Sequence, residues 1–161
     1  MQVVLSKQEE DRYVELQYMA LDFARKGESE ILQSMIEHGL SVNLEDAKGN
    51  TLLMLSSYNG NFETTKMLIT LGADIEKTNS HGHTPLAGVA FKGYLDICKL
   101  LVENGAKIKA KNGKSAITVA AIFGRSEIVE YLQSAAKEED KILGVSSVKI
   151  ASFIQKVKNL F

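Results

Sequence analysis

The sequence predicts an all-α solenoid of about four helix–turn–helix repeats, with hairpin-like fingers between them and a C-terminal helix. Three observations carry this expectation. Gly27, Gly60 and Gly93 are 33 residues apart, and Gly39, Gly72 and Gly105 keep the same interval. Gly49 and Gly82 repeat it, as do Thr51 and Thr84. The segments between these markers are too apolar for free-standing helices: Leu95, Ile97, Cys98, Leu100 and Leu101 fall within seven positions. Such helices need a neighbouring unit on each side, and self-similarity at a period in this range marks a repeat array.

Residues 6–27 read SKQEEDRYVELQYMALDFARKG. Ser6 and Glu9 form a capping-box pattern and acids fill the first turn, which predicts a helix start. This first helix extends beyond the usual beginning of a repeat. Glu9, Glu10, Arg12, Glu15 and Asp22 keep its exposed side wet, as a terminal capping unit requires.

A degenerate first copy follows, YMALDFARKGESEILQSMIEHGLSVN. The second, GNTLLMLSSYNGNFETTKMLITLGADIE, aligns with the third, GHTPLAGVAFKGYLDICKLLVENGAKIK. The last, GKSAITVAAIFGRSEIVEYLQ, arrives two residues early, since Gly82 and Gly113 are 31 apart. Thr51, Thr84 and Ser115 are expected to cap the first helix of their repeats, with Pro85 in a first turn where proline is tolerated. The glycine between paired helices supplies a positive φ at the corner.

The repeat domain is placed at residues 1–140 and a basic amphipathic helix at 141–161. The latter segment, KILGVSSVKIASFIQKVKNLF, contains no acid and carries Lys141, Lys149, Lys156 and Lys158. Val148, Ile150, Ala151, Phe153, Ile154, Val157, Leu160 and Phe161 form a broad apolar face at helical spacing, with Ser146 or Ser147 as a cap. It is expected to dock on the last repeat and seal the core. The alternative is a tail that binds a partner or an anionic membrane surface.

Composition sets the outer limits. The 161 residues are 45% hydrophobic and 24% charged, with a formal net charge of -1. That fits one soluble domain with a real core and no overall pull toward nucleic acid. One cysteine cannot make an internal disulfide. The first residues lack the apolar stretch of a secretory signal, and no apolar run approaches the roughly 18 residues of a membrane span. The expected setting is a reducing cytoplasm, and the expected state a monomer.

The pattern G-x-T-P-L-H, then A-A-x-x-G and L-L-x-x-G-A-D, is matched by GHTPLAGVAFKG, LLVENGA and MLITLGAD. On these motifs the chain resembles the ankyrin-repeat family, over roughly residues 16 to 135. Met54, Ala87 and Thr118 stand where the family has the histidine of T-P-L-H, and Leu52 replaces its proline. GNTLLMLSSYNGN, GHTPLAGVAFKG and AIFGRSEI are also similar to small stand-alone bacterial ankyrin proteins, some of which accompany catalase and are linked to its haem supply. The resemblance implies a non-catalytic module that binds another protein through its concave face. The alternative it implies is an accessory protein for haem handling or catalase maturation.

His81, His83 and Cys98 invite a metal-site reading, which the repeat register dissolves. Cys98 falls in a second helix, where the family has a buried aliphatic residue, and the histidines flank Gly82 at a finger tip. Ligands about 2.0–2.3 Å from one ion cannot come from both places. His38 sits at a helix end, where a histidine suits the helix dipole. Ser56 and Ser57 have no partnering histidine, and Asp46 and Asn79 are expected in local turn hydrogen bonds. No phosphate loop or metalloprotease motif is present, so neither an enzyme nor a cofactor is expected.

In the ankyrin architecture, fingers and exposed ends of first helices form the concave face. The two positions before each inter-helix glycine point toward it. The first reads Arg25, Tyr58, Phe91, Ile122; the second reads Lys26, Asn59, Lys92, Phe123. Finger tips add Ala47, Lys48, Asn50, Ser80, His81, His83 and Lys114. Tyr58, Phe91, Ile122 and Phe123 are the expected anchors, exposed and rimmed by cations, a mix suited to an interface hot spot. Lys107, Lys109, Lys111 and Lys114 of the last finger suit either a solvated turn or an acidic partner.

Overall fold

A computed structural model describes residues 4–109 and 115–142, with side chains to residue 138. Eight helices in four antiparallel pairs make up the described part. They are α1 (Lys7–Lys26) with α2 (Ser29–Glu37), α3 (Leu52–Tyr58) with α4 (Phe62–Thr70), α5 (Pro85–Lys92) with α6 (Leu95–Glu103), and α7 (Ala116–Ile122) with α8 (Ser126–Ile142). The repeat expectation holds. Residues 143–161, nearly all of the anticipated C-terminal helix, lie outside the described residues, as do 110–114 of the last finger.

Helix starts follow the sequence signals in three cases. Ser6 and Glu9 form the full capping box, with the Ser6 N–H donating to Glu9 Oε2 at 2.7 Å. Its backbone and hydroxyl hydrogen bonds hold the Glu9 carboxyl below the usual range. Thr51 and Thr84 each accept the backbone N–H three residues on, both at 3.2 Å. Ser115 does not cap α7; its hydroxyl donates instead to the Ile108 carbonyl at 3.2 Å.

The helices form two rows. Inner helices α1, α3, α5 and α7 pack on one another more extensively than the outer ones do. Small buried residues make that approach possible: Ala20, Ala24, Ser56, Ser57, Ala90 and Ala120 are all sealed from solvent. The outer row fills the space behind them with Leu32, Leu68, Ile97, Leu101, Ile128 and Leu132, each at most 1% exposed. Cys98 is also fully buried, 33 positions after Thr65 and 66 after Leu32 in the same register. Burial, opposed only weakly by Lys99, pushes its thiol up to about 12.

The corner glycine of one repeat is covered by the next repeat. Gly27 has φ +81°, and a Cβ there would meet the Asn61 side chain at 2.9 Å. Asn61 in turn donates to the carbonyls of Ala24 and Arg25 at 3.1 and 2.9 Å. Tyr94 lies over Gly60 in the same way, and the Arg125 guanidinium donates to the Phe91 carbonyl at 3.1 Å. Both the left-handed backbone and the close approach exclude a side chain at Gly27 and Gly60.

Candidate functional site: the groove between fingers and inner helices

A groove of about 710 Å³ runs along the ends of α1, α3 and α5 beside the first two fingers. It is lined by Tyr18, Leu21 and Arg25 from α1, by Asp46, Ala47, Lys48 and Asn50 from the first finger, and by Asn79 and His83 from the second. Met54, Leu55, Pro85 and Gly88 add apolar lining, joined by Tyr58 and Asn59.

The fingers are held by one repeated device. Asp46 Oδ1 accepts the backbone N–H groups of Lys48 and Asn50, both at 2.9 Å. Asn79, 33 residues on, accepts those of His81 and His83, both at 3.0 Å. These are the local turn bonds expected of short polar residues. Beyond them runs a relay that joins successive fingers. Asn79 Nδ2 donates to Asn50 Oδ1 at 2.9 Å, and Asn50 Nδ2 to Asp46 Oδ2 at 3.1 Å. Arg25 completes it with a 3.2 Å ion pair to the same oxygen. The Lys48 carbonyl accepts both the N–H and the hydroxyl of Ser80. Burial raises the Asp46 carboxyl, but the Asn50 and Lys48 donors and the Arg25 charge outweigh it and hold it below the ordinary range.

An aromatic ladder continues from the groove along the inner helices. Tyr58 and Phe91 stack with centroids 6.1 Å apart, and Phe91 meets Phe123 edge-on at 4.5 Å. Lys92 Nζ sits 5.1 Å above the Tyr58 ring, a cation–π distance. Gly88 lies against the edge of the Tyr58 ring, where a Cβ would come to 3.4 Å.

The predicted residues divide accordingly. Arg25, Lys48, Asn50, Tyr58, Asn59 and His83 line the groove. Both ends of the Asn50 amide are engaged in the relay, and Asn59 Nδ2 turns back to the Leu55 carbonyl at 2.7 Å. Phe91 and Lys92 are half-buried rather than exposed, because each rests against a ring of the ladder. Phe123 is 49% exposed and Ile122 63%. Lys26 is drawn to Asp22 on its own helix at 2.6 Å. His81 lies 6.2 Å from His83, outside the groove lining. Lys114 lies outside the described residues. His38 donates Nδ1–H to the Ser34 carbonyl at 2.7 Å on the outer row.

Sequence reasoning missed Tyr18, which is 70% exposed on the groove wall. The signal was present: Tyr18 is 33 residues before Thr51. Since α1 begins at Lys7 and runs straight through, this cap position becomes a helix-surface position two turns before Arg25. Among the described residues, no group of three His, Cys, Asp or Glu could hold a metal ion. No described helix is long and apolar enough to cross a membrane.

Paired helices stacked through an inner row of small residues, with fingers bordering a groove, define a helical-repeat protein. The chain belongs to the ankyrin-repeat family, whose three-copy model matches residues 16–112 and 76–142. Such repeats are generally protein–protein interaction modules and typically non-catalytic. A Pseudomonas aeruginosa protein whose name describes it as an ankyrin repeat protein is 40% identical over 53 residues, 33% of this chain. The match spans 31% of that relative's length.

Proposed function

We propose that the chain is a non-catalytic interaction module that takes a protein partner into the groove between its first two fingers. The supporting observation is the pairing of exposed aromatic faces with an uncommitted cation. Tyr18 and Tyr58, both in the groove lining, are 70% and 42% exposed. The Lys48 ammonium has no ion-pair partner among the described residues, whereas Arg25 and Lys26 are already paired. Aromatic anchors beside a free cation suit a partner segment that combines an apolar side chain with a carboxylate. Phe91, Lys92 and Phe123 extend this face along the ladder, and His81 and His83 border it. The test is affinity capture from the source cell with the full chain and with Tyr18→Ala, which removes a groove-lining ring that is 70% exposed. Loss of a captured protein at unchanged melting temperature is expected; identical capture would refute the assignment.

The haem-handling alternative rests on the resemblance. Of the three histidines only His83 lines the groove, where the Tyr18 and Tyr58 phenols could also bind iron.

A further inference from the structure

At the N-terminal end, α1 exposes charged residues such as Arg12 and Glu15 together with Tyr13, Val14 and Met19. At the C-terminal end the repeat register exposes a surface that every earlier repeat buries. Leu53 and Leu86 occupy one register position on α3 and α5 and are 0% and 1% exposed, covered by the following inner helix. Their counterpart on α7, Ile117, is only half-buried. Ser57 and Ala90 occupy a second such position at 1% and 0%, yet their counterpart Ala121 is exposed. Beside them Ile122 is 63% exposed, in the register of the exposed Tyr58 and the half-buried Phe91.

The outer row shows the same step. Cys98 is fully buried, and its counterpart Val129 is half-buried. Lys99 reaches forward over the next repeat, with Nζ 5.7 Å from the Tyr131 ring centroid. The residue in its register on α8 is Glu130, exposed and without an ion-pair partner among the described residues.

We propose that residues 143–161 of the same chain cover this end, seating their apolar side on Ile117, Ala121, Ile122 and Val129. The segment begins directly after α8, so it needs no long connection to arrive there. Its sequence offers Ile150, Phe153, Ile154 and Val157 at helical spacing, on a length of about 28 Å if helical at 1.5 Å per residue. Its charge complements the end: Lys149, Lys156 and Lys158 are its ionisable side chains, opposite Glu130 and the neighbouring exposed Glu127. Ile122 is then a contact of the tail and not of the partner, which leaves the groove at the opposite end free.

Ala121→Glu in the full chain tests this, because an exposed alanine tolerates glutamate unless something lies on it. The expected result is a melting temperature lowered by roughly 3–6 °C, with amides of residues 148–161 losing hydrogen-exchange protection that the parent chain shows. Both effects should be independent of protein concentration. An unchanged melting temperature, or tail amides that exchange freely in the parent, would overturn the proposal. Protection that appears only on raising the concentration would overturn it too, by making the occupant a second copy.

Discussion

The rings of Tyr58 and Phe91 lie within 3° of parallel across two adjacent repeats, and Phe91 turns its other side to Phe123. One side chain therefore joins three repeats, and its role shifts from exposed anchor to structural rung. Aromatic pairs contribute about 0.5–1.5 kcal/mol each beyond area burial. Phe91→Ala is expected to cost about 2 kcal/mol, seen as a lower denaturation midpoint at an unchanged denaturant slope. A midpoint equal to that of the parent chain would show that the ladder contributes nothing.

Asp46 gives the fold an acid-sensitive point. Its carboxyl sits below its ordinary value of 3.8 because the folded finger supplies donors that favour the charged form. A depressed folded value means that the contribution is complete above the unfolded value and is lost as pH falls through the folded one. Stability should therefore drop below about pH 4. Asp46→Asn should flatten that part of the profile while lowering stability at neutral pH. Equal acid slopes in the two proteins would refute the role given to this carboxylate.

Cys98 should resist thiol reagents. It is fully buried and its thiol is pushed up to about 12, so the reactive thiolate is scarce at pH 7–8. Modification by a disulfide reagent is expected to follow unfolding, with a rate that rises steeply through the denaturant transition. Rapid labelling of the native chain would contradict the packing described for α6.

Haemin titration separates the two functional readings. For a protein-binding groove, the spectrum is expected to remain that of free haemin. A shifted Soret band that disappears in His83→Ala or Tyr58→Ala would favour haem handling instead.

Much of this architecture was legible because glycine spacing and capping residues act locally. Eight helices and their pairing followed from Gly27, Gly60 and Gly93, with Ser6, Thr51 and Thr84 as starts. The failures concern side chains that reach across repeats. Ser115 looks like a cap, but the Ile108 carbonyl captures its hydroxyl. Phe91 shares a register with exposed Tyr58, yet it has rings on both sides. The ladder also leaves the expected register, since Phe91 meets Phe123, one position beyond the residue that repeats Tyr58 and Phe91. Asn50 looked like a free finger-tip amide, and the relay through Asn79 and Asp46 depends on distances that no one-dimensional pattern encodes. Tyr18 was hidden because the degenerate first copy carries a helix where the others carry a cap.

The unequal side chains of the two helix rows have a geometric consequence. Ala24, Ser57 and Ala90 lie between the inner helices beside Leu53 and Leu86, while the outer row is filled mainly by leucine and isoleucine, and interaxial distance follows the side chains at the contact. The array is thus a stack of wedges whose radius of curvature is a difference in side-chain volume. Fingers and groove residues can change without altering that radius. Enlarging Ser57 alone would straighten the stack and open the groove without touching a single residue that lines it.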